Sequence, residues 1–353
     1  MDNNVFTNKE LYSHHYNKED RTKRLGDFEK IYSILKSHLE PKSKAKINES
    51  KIVDYINLYK IENQEFIKRV LTSINHITWD KFCKDTWEQL DILNANIKDK
   101  KYVYVIGVND QVGSSSSDYN IYKSNLWMFM LIYDKLVTKP YDIILNLKIG
   151  IQLYGDLHDF LIVDDCSYSG TQISQQVLYT DASESLYKYP NSYLIKNDTL
   201  TKTIFKPISN HNIKVHLFIP YIGLIAWDKI SKLKLFTCLD IQLYNKYIIN
   251  NFSTILSIED SNKLWQLYKN IYDNYNPLFL LPIFFDHKIA DTISTVELIL
   301  IKGQVLDDSS KRLIFVEPCD KLYSNMENEY IYKILYCPIP PYQNFYKLLK
   351  EKL

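Results

Sequence analysis

The sequence predicts an α/β protein in which a parallel sheet is flanked by helices, preceded by a helical N-terminal region. Three observations carry this. The short apolar runs YVYVI (102–106), DIILNL (142–147), FLIV (160–163) and VHLFI (215–219) are separated by helix-like or polar stretches, and runs of that length suit strands buried on both faces. Between the first two lies KSNLWMFMLIYDKLV (123–137), apolar nearly all round, and after the third comes GTQISQQVLY (170–179), with Ile173 and Val177 on one helical face. Strand and helix in alternation give a parallel sheet. Upstream, from Phe28 to Leu93, apolar residues recur at helical spacing, most clearly Phe66, Ile67, Val70, Leu71 and Ile74, then Trp79, Phe82, Trp87 and Leu90.

Along the chain, residues 1–27 carry no sustained apolar period and are expected to form a flexible tail. The helical region then runs over 28–98 and the α/β core over 99–303. Within that core, residues 180–212 are polar and irregular, longer than a compact connection, and read as an inserted element or a loop. A helix around Asn262–Tyr272 and the run PLFLLPIFF follow, then a helix-like stretch from His287 to Lys302 closed by Gly303. Residues 304–353, with the Pro-rich CPIPPYQ, form a C-terminal extension.

Composition bounds the function. The 353 residues are 46% hydrophobic, 24% charged and 14% aromatic, which excludes disorder, collagen and coiled coil. A formal charge of +1 gives no global basic field, so neither nucleic acid nor an anionic membrane is the expected partner. The greasy stretch Leu217–Trp227 is interrupted by Pro220 and Gly223 and falls short of the roughly 20 apolar residues of a bilayer span. The polar start lacks the apolar core of a secretory signal. Cys83, Cys166, Cys238, Cys319 and Cys337 are widely spaced and form no zinc motif, so a reducing, cytoplasmic compartment is expected. Tyrosine, at 29 against 15 phenylalanines, is read as codon bias and packing, because no segment combines dense Lys/Arg with regularly spaced aromatics.

The most informative segment is FLIVDDCSYSGTQI, an apolar strand running into Asp164 and Asp165, then small and hydroxylated residues, then a helix. In a parallel α/β sheet, ligands bind beyond the carboxyl ends of strands, and the start of the next helix offers unpaired N–H groups to a phosphate. Ser167, Ser169, Gly170 and Thr171 stand where that phosphate would sit. Gly170 permits close backbone approach and the hydroxyls add donors. Two adjacent carboxylates can accept hydrogen bonds from ribose hydroxyls or hold a magnesium-bound water. The same residues also fit a plain turn in which Asp165 or Ser167 caps the helix.

FLIV, Asp164, Asp165, Ser169 and Gly170 match the skeleton of the 5-phosphoribosyl-1-pyrophosphate (PRPP) binding motif, and the segment resembles that of the type I phosphoribosyltransferases. The chain differs at Cys166, Ser167 and Tyr168 and at Gln172, where Thr171 stands one position early. The resemblance implies a phosphoribosyltransferase-like fold, with Asp164 and Asp165 as catalytic and Mg²⁺-associated residues. It also implies a phosphate loop spanning Ser167, Tyr168, Ser169, Gly170, Thr171 and Gln172. Pyrophosphate is then expected on the loop after the first core strand, VNDQVGSSSSDYNIY, where Lys123 and Ser124 supply a cation and a hydroxyl.

A second candidate is FFDHKIADTIST, which reads as a strand-to-helix corner. Asp286 fits an N-cap and Lys288 a solvated surface position. The functional reading sets Asp286, His287, Lys288 and Asp291 on the acceptor or pyrophosphate side, with His287 shuttling a proton and Lys288 neutralising charge. With DDxxYSGTQ and FFDHKIAD together, residues 100–300 are similar to phosphoribosyltransferase-like proteins of large DNA viruses. The function implied is transfer of phosphoribosyl from PRPP to a nitrogen nucleophile, with Mg²⁺ and pyrophosphate release. The alternative is an inactive PRPP- or nucleotide-binding module used for sensing or assembly, oligomers included.

Overall fold

The structure, a computed structural model, describes residues 20–36, 53, 56, 57, 61–106, 124–144, 147–155, 158–178, 213–236, 239–271 and 281–285. The 180–212 stretch, Lys123, the corner Asp286–Asp291 and the extension 304–353 lie outside the described residues. The chain divides into two compact units, one built on 1–39 and 85–248, the other on 40–84 and 249–341. Lys84 and Asp85 fall in different units, within the helix that runs from Trp79 to Ile97.

The first unit carries a five-stranded sheet. Its strands are β2 (Tyr102–Val105), β3 (Asp142–Ile144), β4 (Asp159–Val163), β6 (Lys214–Phe218) and β8 (Asp240–Tyr244), in the order β3-β2-β4-β6-β8. Every adjacent pair is parallel. YVYV is buried at all four positions of β2, and FLIV at all four of β4, which accounts for runs without polar alternation. Asp240–Tyr244 was not among the expected strands, because DIQLY carries polar residues at alternate positions, as an edge strand with one solvated face does.

Helices cover both faces. Val103, Val105, Phe160, Ile162, Val215 and Leu217 pack in one core cluster with α5 (Leu147–Tyr154), α6 (Thr171–Leu178) and α7 (Leu224–Phe236). The intervening side chains turn the other way. There Tyr104 stacks on Phe129 of α4 (Ser124–Tyr133), with ring centroids 3.5 Å apart, and Gln242 bonds Asn96 near the end of α3 (Trp79–Ile97) at 3.3 Å. A helix buried on this scale must be apolar around its circumference, and Leu126–Met130 are all buried. Within DIILNL, Asp142–Ile144 are strand and Leu147 opens α5.

Three main strands continue, after a two-residue step, into a second sheet of order β5-β7-β9. These are β5 (Cys166–Ser167), β7 (Tyr221–Gly223) and β9 (Tyr247–Ile249). The ladder runs through the bend. Asp164 N–H donates to the Phe218 carbonyl (3.0 Å), Ile219 N–H to Tyr244 (2.9 Å), and the Pro220 carbonyl accepts both Lys246 N–H (2.8 Å) and Tyr247 N–H (3.1 Å). Cys166 and Ser167, expected in a loop, are thus strand residues paired with Tyr221 and Ile222. Their partners lie some fifty positions away, a non-local pairing that two-residue propensity does not reveal.

The expectation of a tail through residue 27 fails from Asp20 on, because helix α1 (Arg21–Leu35) begins inside it. What holds α1 is long-range. Arg24 forks onto Asp142 of the edge strand β3, Nε–Oδ1 3.0 Å with a second Nη2–Oδ2 bond, and Arg21 lies 3.8 Å over the Tyr141 ring. Phe28 packs edge-on against Tyr133, centroids 4.9 Å apart.

In the second unit, α2 (Ile61–Thr72) buries Phe66, Ile67 and Val70. Asn75–Ile77 form strand β1, paired parallel with β10 (Ile283–Phe285), so the stretch read as helical contains a strand. Asn251 precedes the short helix α8 (Phe252–Ile255), and α9 (Ile258–Ile271) follows it, four residues ahead of the expected start at Asn262. Ser257 Oγ accepts Asp260 N–H at 3.0 Å, a capping contact at that start.

Candidate functional site

The connection out of β2 runs through α4 to β3 on one side, while the connection out of β4 runs through α6 to β6 on the other. The strand order therefore reverses between β2 and β4, the kind of position at which open α/β sheets bind ligands. Asp164 and Asp165 stand at the carboxyl end of β4, and α6 starts at Thr171.

Both acids are buried, at 2% and 0% exposure, and each turns one oxygen onto the backbone ahead of it. Asp164 Oδ1 accepts Asp165 N–H at 3.0 Å, and Asp165 Oδ1 accepts Cys166 N–H at 2.8 Å. Hydrogen bonds from N–H groups are what a carboxylate needs when it leaves water. The Tyr104 hydroxyl, which donates to the Asn125 main-chain carbonyl at 3.0 Å, is pushed well above its ordinary pKa by burial first and then by the negative charge of Asp164.

Gly170 has φ +72°, a conformation that favours glycine. A Cβ there would lie 2.9 Å from the Cα of Ala226, so the close approach that the glycine permits is to helix α7. The Gly170 carbonyl takes the Ser174 N–H (2.9 Å) and the Ser174 hydroxyl (2.7 Å), which fixes the first turn of α6. Ser167 is buried and Tyr168 and Ser169 are half-buried on the same turn.

Gln172, expected on the ligand, sends its Nε2 to Asn125 Oδ1 at 2.8 Å. Asn125 is fully buried in the first turn of α4, with Nδ2 on the Ile106 carbonyl at 3.2 Å. Sequence reasoning passed over Asn125 and Tyr104. A signal for Asn125 was present, since it is the sole amide in SNLWMFMLIY, a helix otherwise apolar apart from its opening serine. Ser124 opens that helix.

For Mg²⁺ the donor chemistry is right: two hard carboxylates on adjacent residues. Among the described residues no three His, Cys, Asp or Glu side chains gather as a metal cage. No helix among the described residues is long and apolar enough to cross a membrane. No family model, no curated protein and no solved structure matches the chain.

Proposed function

We propose that the chain binds PRPP with Mg²⁺ and transfers its phosphoribosyl group to a nitrogen nucleophile, releasing pyrophosphate. The observation that carries this reading is the position of Asp164, Asp165 and the Gly170 turn at the carboxyl end of the central strand, beside the reversal of strand order. In the reaction the C1–O bond to pyrophosphate breaks as the N–C1 bond forms, through a transition state with oxocarbenium character, and the nucleophile gives up a proton. The protein's work is placement. The turn Ser167–Thr171 would hold the 5-phosphate, and Asp164 and Asp165 the ribose hydroxyls. Lys123 and Ser124 would serve the pyrophosphate side, and Asp286, His287, Lys288 and Asp291 the acceptor side. Mg²⁺ near the two carboxylates would supply neutralisation of the leaving charge. A reducing, cytoplasmic setting goes with this reading, and neither Cys83 nor Cys166 is in a disulfide.

A second reading is favoured by the burial of both acids and by the strand pairing of Cys166 and Ser167. In it the same turn binds the ligand without turnover, as a sensing or assembly module. The two separate on one assay, pyrophosphate release from PRPP and Mg²⁺ with a panel of purine and pyrimidine bases. Release above background supports the enzyme; thermal stabilisation by PRPP without release supports the module. In either case Asp164→Asn combined with Asp165→Asn should leave the circular dichroism spectrum intact and abolish PRPP binding. Undiminished binding by that variant would remove the site from this turn.

A further inference from the structure

Asp85 lies on α3, away from the candidate turn in sequence, and is buried at 3% exposure. Both of its oxygens take tyrosine hydroxyls from the second sheet: Oδ2 accepts Tyr221 of β7, and Oδ1 accepts Tyr247 of β9 at 3.5 Å. The two rings lie together, centroids 5.3 Å apart. Burial first, and then the Asp85 bond and charge, raise the Tyr221 hydroxyl far above its ordinary pKa, so it keeps its proton and donates. Strand β7 stands between β5 and β9, and Tyr221 is the ladder partner of Cys166 as Ile222 is of Ser167. Side chains alternate along a strand, so β7 is gripped from both faces: Tyr221 by Asp85, and Ile222 by the core cluster that includes Ala226, the residue against Gly170. A two-residue strand such as β5 has little hold of its own and takes its place from β7. Taking a carboxylate out of water is costly, and an apolar side chain would cover Tyr221 without that cost. What the carboxylate adds is a fixed direction for the hydroxyl.

From these contacts we infer that Asp85 is a positioning residue: acting through Tyr221 and the β7–β5 ladder, it sets where Ser167 and the turn up to Thr171 stand beyond Asp164 and Asp165. The inference rests on the PRPP reading above. The 5-phosphate on the turn and the ribose hydroxyls on the acids belong to one ligand of fixed span, so a turn that shifts relative to the acids loses one of the two contacts.

The test is calorimetric PRPP affinity with Mg²⁺ in the full chain, at a temperature where circular dichroism shows every variant fully folded, so that lost stability alone does not enter. Tyr221→Phe keeps the ring and removes the hydroxyl; Asp85→Asn keeps the shape and removes the charge. Each should weaken PRPP binding about tenfold, the scale of one hydrogen bond to a charged group. The double variant should lose no more than the weaker-binding single, because both changes remove the same bond. Lys246→Met, which breaks the exposed 2.7 Å bond to Glu88 one turn further along α3, should stay within about twofold. Should Asp85→Asn fail to fold, Tyr221→Phe carries the comparison. Unchanged affinity in the folded single variants, losses that multiply in the double, or an equal loss in Lys246→Met would overturn the positioning role and leave the PRPP reading standing. An unmutated chain that binds no PRPP removes that reading itself, and the positioning role with it.

Discussion

Gly170 is held by two constraints that act independently. Its φ of +72° is strained for any residue with a Cβ, and that Cβ would also meet the Cα of Ala226, a backbone atom that cannot swing aside. Gly170→Ala should therefore destabilise the chain by about 2–4 kcal/mol, the sum of a backbone and an overpacking cost. Urea denaturation of the variant checks it, and a shift below about 0.5 kcal/mol would mean that α7 yields freely. The need for glycine was legible in the sequence, because a small residue between strand and helix implies a close approach. The identity of what approaches was not: Ala226 lies far along the chain and carries no local mark. Gln172 gives the same lesson from the other side. Its place beside a phosphate-type turn was readable, whereas its hydrogen bond to Asn125 depends on α4 and α6 meeting across two strands.

Helix α1 shows how an element can be fixed by a few distant contacts. Asp142 is fully buried at the start of edge strand β3, and its carboxylate accepts the Arg24 fork, the Tyr154 hydroxyl and the Ile143 N–H (2.7 Å). Arg24 is itself only 14% exposed. Removing one partner of a buried pair leaves the other charge desolvated, so Arg24→Ala should cost about 2–4 kcal/mol. The internal comparison is Lys232→Ala, which breaks the exposed Lys232–Asp228 pair on α7, at 34% and 53% exposure, and should cost less than about 0.5 kcal/mol. Similar losses for the two variants in denaturant titrations would contradict the buried-pair account. Strands β2, β3, β4 and β6 were legible as short, mostly apolar runs, because extensive burial writes itself into composition. Strand β8, the short strands β5, β7 and β9, and helix α1 were not, since each is defined by its partners: β8 by an edge position, the short strands by a ladder carried through a bend, and α1 by arginines that read as surface charge.

For the molecule as a whole, the ionisable groups define a stability profile with three regions. Burial alone would raise the Asp159 carboxyl, but the hydrogen bond from His216 at 2.8 Å and the charges of Lys100 and Lys214 outweigh it and leave the carboxyl below its usual range. Asp260, in the other unit, is lowered chiefly by its hydrogen bonds from Arg69, at 2.6 and 2.8 Å. A carboxyl with a depressed folded pKa stabilises above its unfolded value, about 4, and that contribution is lost as pH falls through the folded value. Acid loss should thus begin below about pH 4 in both units, and Asp159→Asn and Asp260→Asn should each flatten it, additively because no partner is shared. On the alkaline side, burial lowers the Lys229 ammonium to about 8, with Lys232 adding repulsion. Between that value and the unfolded one, about 10.4, the unfolded chain binds more protons, so stability rises with pH. The rise is cut short near pH 10, where the unfolded chain begins to release tyrosine protons that burial forces Tyr102 and Tyr104 to keep. Thermal melts at closely spaced pH should therefore peak between about 8 and 10. Lys229→Met should raise the neutral-pH melting temperature and remove that peak; a peak that survives the substitution would assign the alkaline gain to another group.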